Sequence, residues 1–295
     1  MGGKEFYIVD VFSDRRFAGN QLAVFTQGGS FTDAEMQQIA REINFSETTF
    51  IFPEASSGNL FRVRIFTPEE EVPFAGHPTL GTAYVIQKVF LQETVPEIRL
   101  ALNVGEIPVT MEYDGETIVR MTMKQKPPVF GTQIDPGKLA AVLSLTTADV
   151  DERFPVQVVS TGLPFIIAPL KTMAAVQRAR LHKDLYAELI QDLDAKAILF
   201  FAPETLMPEN RLHVRVFTEY FGVPEDPATG SANGCLAGYL IRYGYFGQEA
   251  LDISVEQGFE IGRDAILYLS GYQDAHEIHV YVGGQAAMFA KGELV

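Results

Sequence analysis

Two loops rich in glycine and proline carry polar residues that could act on a small molecule. The first reads Phe74-Ala75-Gly76-His77-Pro78-Thr79, the second Glu225-Asp226-Pro227-Ala228-Thr229-Gly230-Ser231-Ala232. Each opens a helical stretch, and Pro78 suits a helix's first turn. Amides at a helix start lack partners within the helix and favour an anion, so a carboxylate could be held there without arginine. Ordinary capping accounts for the same residues: Asp226 as a capping acid, His77 as a surface residue or a cap with a satisfied ring. Glu47, in Phe45-Ser46-Glu47-Thr48-Thr49-Phe50, stands between an amphipathic helix and an apolar strand. An acid at such a mouth is partly desolvated, which raises its pKa and suits acid/base work; taken alone, the hexapeptide reads more simply as a solvated strand-start glutamate. The second half has Ala197 at roughly the corresponding place, so the acid occurs once, as a single shuttling carboxyl group requires.

These residues need a scaffold, and the sequence predicts a duplicated one. Short β-rich runs dominate: Phe6–Phe12, Leu22–Phe25, Thr48–Phe52, Phe61–Thr67, Ile107–Tyr113 and Ile118–Lys124, then Val156–Ser160, Phe165–Leu170, Ala197–Ala202, His213–Thr218, Leu251–Val255, Ala265–Ser270 and Ile278–Val282. Several are bounded by Gly, Pro or Asp, as strands are. Amphipathic helices fit Asp33–Glu42, behind a Thr32 cap with Glu35 three residues on, and Leu181–Asp192. Pro78–Phe90 and Ser231–Tyr243 carry little charge and many small residues, the mark of buried helices. Val63-Arg64-Ile65-Phe66-Thr67 parallels Val214-Arg215-Val216-Phe217-Thr218 at an offset of 151, and Val72-Pro73 parallels Val223-Pro224 at the same offset. The expected architecture is α+β: two pseudo-symmetric domains, each a curved, mostly antiparallel sheet wrapped around a central apolar helix. The boundary is expected at the stiff Pro127-Pro128, dividing residues 1–127 from 128–295, with the last strand able to cross back to the first half. If the halves pack about a pseudo-twofold axis, both helix starts face one cleft.

Composition narrows the partners. With 38 acids against 23 Lys and Arg, the net charge of −15 disfavours nucleic acid and anionic membrane surfaces. No run of about 18 apolar residues exists to span a membrane, and no signal-peptide stretch is present. One cysteine, Cys235, permits neither an intramolecular disulfide nor a cysteine-based metal site, and His276 and His279 are poorly placed as a metal pair. No phosphate-loop or dinucleotide fingerprint occurs. The expectation is a cytoplasmic-type protein without metal or organic cofactor.

Phe17-Ala18-Gly19-Asn20, Ser46-Glu47-Thr48, Phe74-Ala75-Gly76-His77-Pro78-Thr79 and Asp226-Pro227-Ala228-Thr229-Gly230-Ser231-Ala232, in that order, resemble the PhzF-like isomerase family over Tyr7 to Gly292-Glu293-Leu294. The resemblance implies the diaminopimelate epimerase-like fold, Glu47 as the catalytic acid/base, and a substrate site lined by His77, Asp226 and Ser231, with Asn20, Gly76, Thr229 and Gly230 in the matched motifs. It further implies a cofactor-independent isomerase moving a proton on a small carboxylate in the cleft, and a homodimer. Diaminopimelate epimerases themselves use a cysteine at each helix start. Here those places hold His77 and Asp226 or their neighbours, and Cys235 lies a turn further on, which argues against two-thiol racemisation. Two alternatives stay open: an epimerase or racemase of a small amino or hydroxy acid, with Glu47 opposite His77 or Asp226, and a non-catalytic anion-binding protein on the same fold.

Overall fold

The computed structural model describes residues 4–248 and 250–295. The chain divides into two compact units, one running through Lys124 and taking in Gly283–Val295, the other spanning Gln125–Val282.

The first unit opens with β1 (Lys4–Val11), β2 (Asn20–Phe25), helix α1 (Asp33–Ile43), β3 (Thr48–Ser57), β4 (Leu60–Phe66) and the short β5 (Glu71–Val72). Helix α2 (Gly76–Val85), β6 (Glu97–Leu102), β7 (Gly105–Asp114) and β8 (Thr117–Lys124) follow. β1 pairs antiparallel with β2, β2 runs parallel to β3, and β3 pairs antiparallel with β4. Beyond β4 come parallel β6, then β7 and β8 as antiparallel neighbours. Helix α1 begins with a full capping box between Thr32 and Glu35 and ends on Asn44 in the left-handed conformation. It buries Met36 and Ala40 against Phe25, Phe31 and Phe50, whose rings stack or meet edge to face.

Helix α2 packs against β1, β2, β3, β6, β7 and β8, and nine of its ten residues are buried. A helix enclosed on all sides has no face left for charge, hence its composition. Gly81 lets the sheet close on it, since a Cβ there would stand 2.7 Å from both Leu22 Cδ2 and Val11 Cγ2. The expected helix Pro78–Phe90 thus begins two residues earlier, and from Ile86 to Leu91 it widens into a π-turn, closed by Gln92 N–H donating to Gln87 O at 2.8 Å.

The second unit contains β9 (Val129–Ile134), α3 (Pro136–Val142), β10 (Val156–Ser160), β11 (Pro164–Pro169), α4 (Met173–Arg178), α5 (Lys183–Ile190) and β12 (Ala197–Ala202). β13 (Leu212–Thr218), β14 (Val223–Glu225), α6 (Gly230–Arg242), β15 (Ala250–Gln257), β16 (Ala265–Gln273) and β17 (Ile278–Gly284) complete it. Its pairings repeat those of the first unit: β10 antiparallel to β11, β11 parallel to β12, β12 antiparallel to β13, β13 parallel to β15, β15 antiparallel to β16. Helix α6 packs against β10, β11, β12, β15 and β16 and buries eleven of thirteen residues. α3, α4 and α5 form a separate apolar layer with this sheet, through Leu139, Val176, Tyr186 and Ile190 against Ile166, Ile198 and Phe200.

The strand after each set of eight joins the other unit. β9 pairs antiparallel with β10, and the last strand, β18 (Ala286–Leu294), pairs antiparallel with β1. Seven elements escape the sequence reading: the short β5 and β14, and β6, β9, β18, α3 and α4. β9 and β18 have largely unburied side chains and are held by backbone pairing, so they show no apolar run. β6 shows clean alternation, with Ile98, Leu100 and Leu102 buried, but its alternate positions include the charged Glu97 and Arg99.

Candidate active site

Glu47 is the last residue before β3. The left-handed Asn44 turns the chain out of α1, and Phe45 packs on the aromatic cluster behind it. This fixes where β3 begins. The Glu47 side chain is 19% exposed, and its Oε2 lies 3.5 Å from His77 Nε2.

His77 is the second residue of α2. Its imidazole is buried, and Nε2 lies 3.3 Å from the Gln21 carbonyl on β2. A carbonyl only accepts, so Nε2 carries the hydrogen and faces Gln21 first, Glu47 second. Burial pushes the imidazole down to about 3, against a smaller upward pull from the Gln21 carbonyl. It is therefore neutral at physiological pH, and its contact with Glu47 is a dipole on a carboxyl group, not an ion pair. Thr49 on β3 and Thr82 on α2 share a buried hydrogen bond of 2.9 Å, tying the strand after Glu47 to the helix that carries His77. Asn20 is buried beside Gln21 at the start of β2, and Gly76 is buried at the head of α2. Ala75, at the N-cap, adds no side-chain hydrogen bond to the helix amides.

The second unit gathers Asp226, Thr229, Gly230 and Ser231. The Thr229 hydroxyl donates to Asp226 Oδ2 at 2.5 Å, Gly230 is the buried first residue of α6, and Ser231 follows half-buried. Two residues that the sequence reading missed hold this loop. Gln257, fully buried at the end of β15, donates from Nε2 to the Asp226 carbonyl at 2.8 Å and to Thr229 Oγ1 at 3.1 Å. Its Oε1 accepts from Thr229 N–H at 3.3 Å and from Asn233 Nδ2 at 2.8 Å. Asn233 donates also to the Thr229 carbonyl at 3.0 Å. Gly258 follows with φ of +82°, and a Cβ there would stand 2.5 Å from the Pro227 carbonyl oxygen. The available signal was a pair of polar residues, Glu256 and Gln257, closing an apolar strand just before a glycine.

The repeated pairings set equivalent positions side by side. Thr48 pairs with Phe66 and Ile198 with Phe217, so Ala197 is the counterpart of Glu47. Helix starts at Gly76 and Gly230 make His77 the counterpart of Ser231, and Thr79 that of Asn233. Thr79 Oγ1 donates to the Ala75 carbonyl at 2.7 Å as Asn233 does to Thr229, a shared helix-start device. Between Val72 and Gly76 lie three residues, and between Val223 and Gly230 six. The longer loop is the one that carries Asp226.

The one thiol is not a candidate base. Cys235 is buried within α6, and burial pushes it up to about 11, so it stays protonated near neutrality. Among the described residues, no three His, Cys, Asp or Glu side chains are grouped to hold a metal ion. No helix among them is long and apolar enough to cross a membrane.

The family model for phenazine biosynthesis-like proteins (PhzC-PhzF) matches residues 9–292. The trans-2,3-dihydro-3-hydroxyanthranilate isomerase of Pseudomonas chlororaphis is 34% identical over 295 residues, covering 98% of this chain and 99% of that protein. The isomerase of the same name from Pseudomonas aeruginosa is 33% identical, with 97% and 98% covered. Among solved structures, a Bacillus anthracis phenazine biosynthesis protein of the PhzF family matches with a TM-score of 0.91 at 26% identity, covering 100% of both chains. A probable proline racemase from Agrobacterium radiobacter, 10% identical, shares the fold with a TM-score of 0.66 over 99% of this chain and 93% of its own. The fold common to these two neighbours, and to this chain, is the diaminopimelate epimerase-like fold.

Proposed function

The chain belongs to the phenazine biosynthesis-like family and is an isomerase, and from that premise we propose that Glu47 moves a proton between two carbons of a small unsaturated carboxylate. The Glu47 carboxylate takes a proton from one carbon, and the electron pair delocalises through the adjoining double bond. The carboxylic acid so formed returns the proton to a second carbon. One double bond shifts, nothing is gained or lost, and no cofactor is required.

The observation that carries this reading is the Glu47–His77 contact. A neutral, buried imidazole stands 3.5 Å from Oε2, so the carboxyl group has a polar ring beside it without a counter-charge. An ion pair would hold the carboxylate ionised and weaken it as a base; a dipole does so less. The amides at the head of α2, in the same unit as Glu47, are fixed donors suited to a substrate carboxylate. Asp226, with one oxygen taken by the Thr229 hydroxyl, is a binder of a polar substrate group.

The epimerase alternative requires a proton acceptor on each face of one carbon. Two such acceptors stand roughly 6 Å apart, two hydrogen-bond lengths. Glu47 and His77, at 3.5 Å, are too close to flank a carbon, and a neutral imidazole at about 3 is a feeble base. That alternative then needs Asp226 as its second acceptor.

Heavy-water exchange tests the proposal, with trans-2,3-dihydro-3-hydroxyanthranilate as the first compound, since the characterised relatives are named for it. Glu47→Gln should lower turnover at least about a hundredfold, the low end for general acid/base catalysis. Turnover by Glu47→Gln near the wild-type rate sinks the assignment.

A further inference from the structure

We infer that Gln257 is a positioning residue, which sets Asp226 and Thr229 for substrate by directing the Thr229 hydroxyl at the Asp226 carboxylate. The inference rests on the reading of Asp226 as a binder of a polar substrate group.

The direction of each hydrogen bond follows from the amide. Gln257 Nε2 can only donate, and it reaches Thr229 Oγ1 at 3.1 Å. The hydroxyl must therefore accept from Gln257, which turns its own hydrogen toward Asp226 Oδ2, 2.5 Å away. The second Nε2 hydrogen goes to the Asp226 carbonyl at 2.8 Å, fixing the backbone of the same residue. Oε1 accepts from Thr229 N–H and from Asn233 Nδ2, and this fixes which end of the amide faces the loop. All four hydrogen-bonding sites of one buried side chain thus serve a loop of four residues and the first turn behind it.

The fold does not need a polar group there. Phe61 pairs with Leu100 in the first unit, as Leu212 pairs with Val255 in the second. Phe61 and Leu212 are repeat partners, 151 residues apart. Two residues on from each pairing stand Leu102 and Gln257, so the same strand position holds a buried leucine in one unit and a buried amide in the other. The amide accompanies the longer loop with the acid. Burying an amide is favourable only when it is fully hydrogen-bonded, and here that is met by the Asp226–Thr229 loop and Asn233.

The test compares Gln257→Leu, the residue the first unit uses, with Thr229→Val, Thr229→Ser and the double variant Gln257→Leu/Thr229→Val in the full chain. Turnover of trans-2,3-dihydro-3-hydroxyanthranilate and calorimetric binding of 3-hydroxyanthranilate are measured for each. Gln257→Leu should raise KM and Kd at least about fivefold while kcat stays within about twofold, because Glu47 is untouched. Thr229→Val should do the same, the double variant should be no worse than the poorer single, and Thr229→Ser should retain most affinity. Gln257→Met, unbranched and close in volume, replaces Gln257→Leu if the latter does not fold. An unchanged KM, multiplying effects in the double variant, or failure of both Gln257 variants to fold overturns the inference and makes the residue purely structural. Normal turnover by Glu47→Gln would overturn the proposed function alone, since the KM comparison across Gln257 and Thr229 stands independently of which group moves the proton. Failure of the wild type to bind either compound overturns both.

Discussion

His213 should make the protein lose stability as pH rises through the mildly alkaline range. Its ring lies wholly buried on β13, with Nδ1 2.8 Å from Glu256 Oε1 and Nε2 2.7 Å from Glu260 Oε1. Burial opposes the charged ring most strongly of any single influence, yet the two carboxylates together outweigh it and raise His213 to about 9. Both glutamates are correspondingly lowered; for each, burial works the other way and is overcome, for Glu256 by His213, Asn210 and two amides, for Glu260 chiefly by His213. A histidine whose folded pKa exceeds its unfolded value of 6.5 stabilises fully below pH 6.5, and that contribution is lost as pH climbs through about 9. A rise of this size corresponds to about 3 kcal/mol. For a chain of this size that is about 5 °C in Tm. In His213→Leu, Glu256 is left buried without its cation and Glu260 keeps only Arg215 Nε, 3.9 Å away, a loss of about 3–5 kcal/mol at pH 6.5. Urea unfolding at half-unit steps from pH 6.5 to 9.5 should show wild-type stability falling while His213→Leu falls less, so that the gap narrows with pH. Cys235 and the buried tyrosines titrate above this window and in both proteins. Parallel curves for the two proteins across pH 6.5–9.5 would refute the charged-imidazole reasoning.

His77 should behave oppositely. Its ring resonances should show no titration between pH 5 and 8 by NMR, since burial keeps the imidazole neutral down to about 3; a midpoint near 6.5 would mean an open, solvated ring. Incubation with a chelator followed by desalting should leave turnover unchanged, because among the described residues no side-chain cluster is built to hold a metal; reversible loss restored by a divalent cation would contradict this.

The parts of the molecule legible in the sequence were those that announce themselves locally. The 151-residue offset is legible because β4 and β13 take the same place in the repeated pairings, each between an antiparallel and a parallel neighbour and each stapled by its arginine to the short strand that follows. Thr32 and Glu35 announce the start of α1 because capping is decided within four residues. The site is less legible. Glu47 and His77 are thirty residues apart in sequence, and only the parallel pairing of β2 with β3, with α2 packed across both, brings them within 3.5 Å. Gln257 lies 31 residues beyond Asp226 and reads as an unremarkable strand end. His213, one of several scattered histidines in the sequence, owes its charge to Glu256 and Glu260, which arrive from β15 and the turn after it.

Two copies of one scaffold also provide an internal control for deciding which polar residues the fold itself demands. Arg64 holds Glu71 by a two-pronged contact in the first unit, and Arg215 holds Glu225 likewise in the second. Each staples a short strand to the strand before it, so this pair belongs to the fold. Thr79 and Asn233 both secure an N-cap carbonyl and belong to it as well. Glu47 faces an alanine at its counterpart, His77 a serine, and Gln257 a leucine, while Asp226 lies in a loop three residues longer than its equivalent. The scaffold folds with either member of each of these pairs. Burying an imidazole at the cost of its basicity, or an amide that must find four partners, adds nothing to a sheet wrapped around a helix that leucine or serine does not supply. What distinguishes the two units is therefore these polar groups: the first carries Glu47 beside the buried His77, and the second carries Asp226 and Thr229 held by Gln257, which are the residues the proposed proton transfer uses.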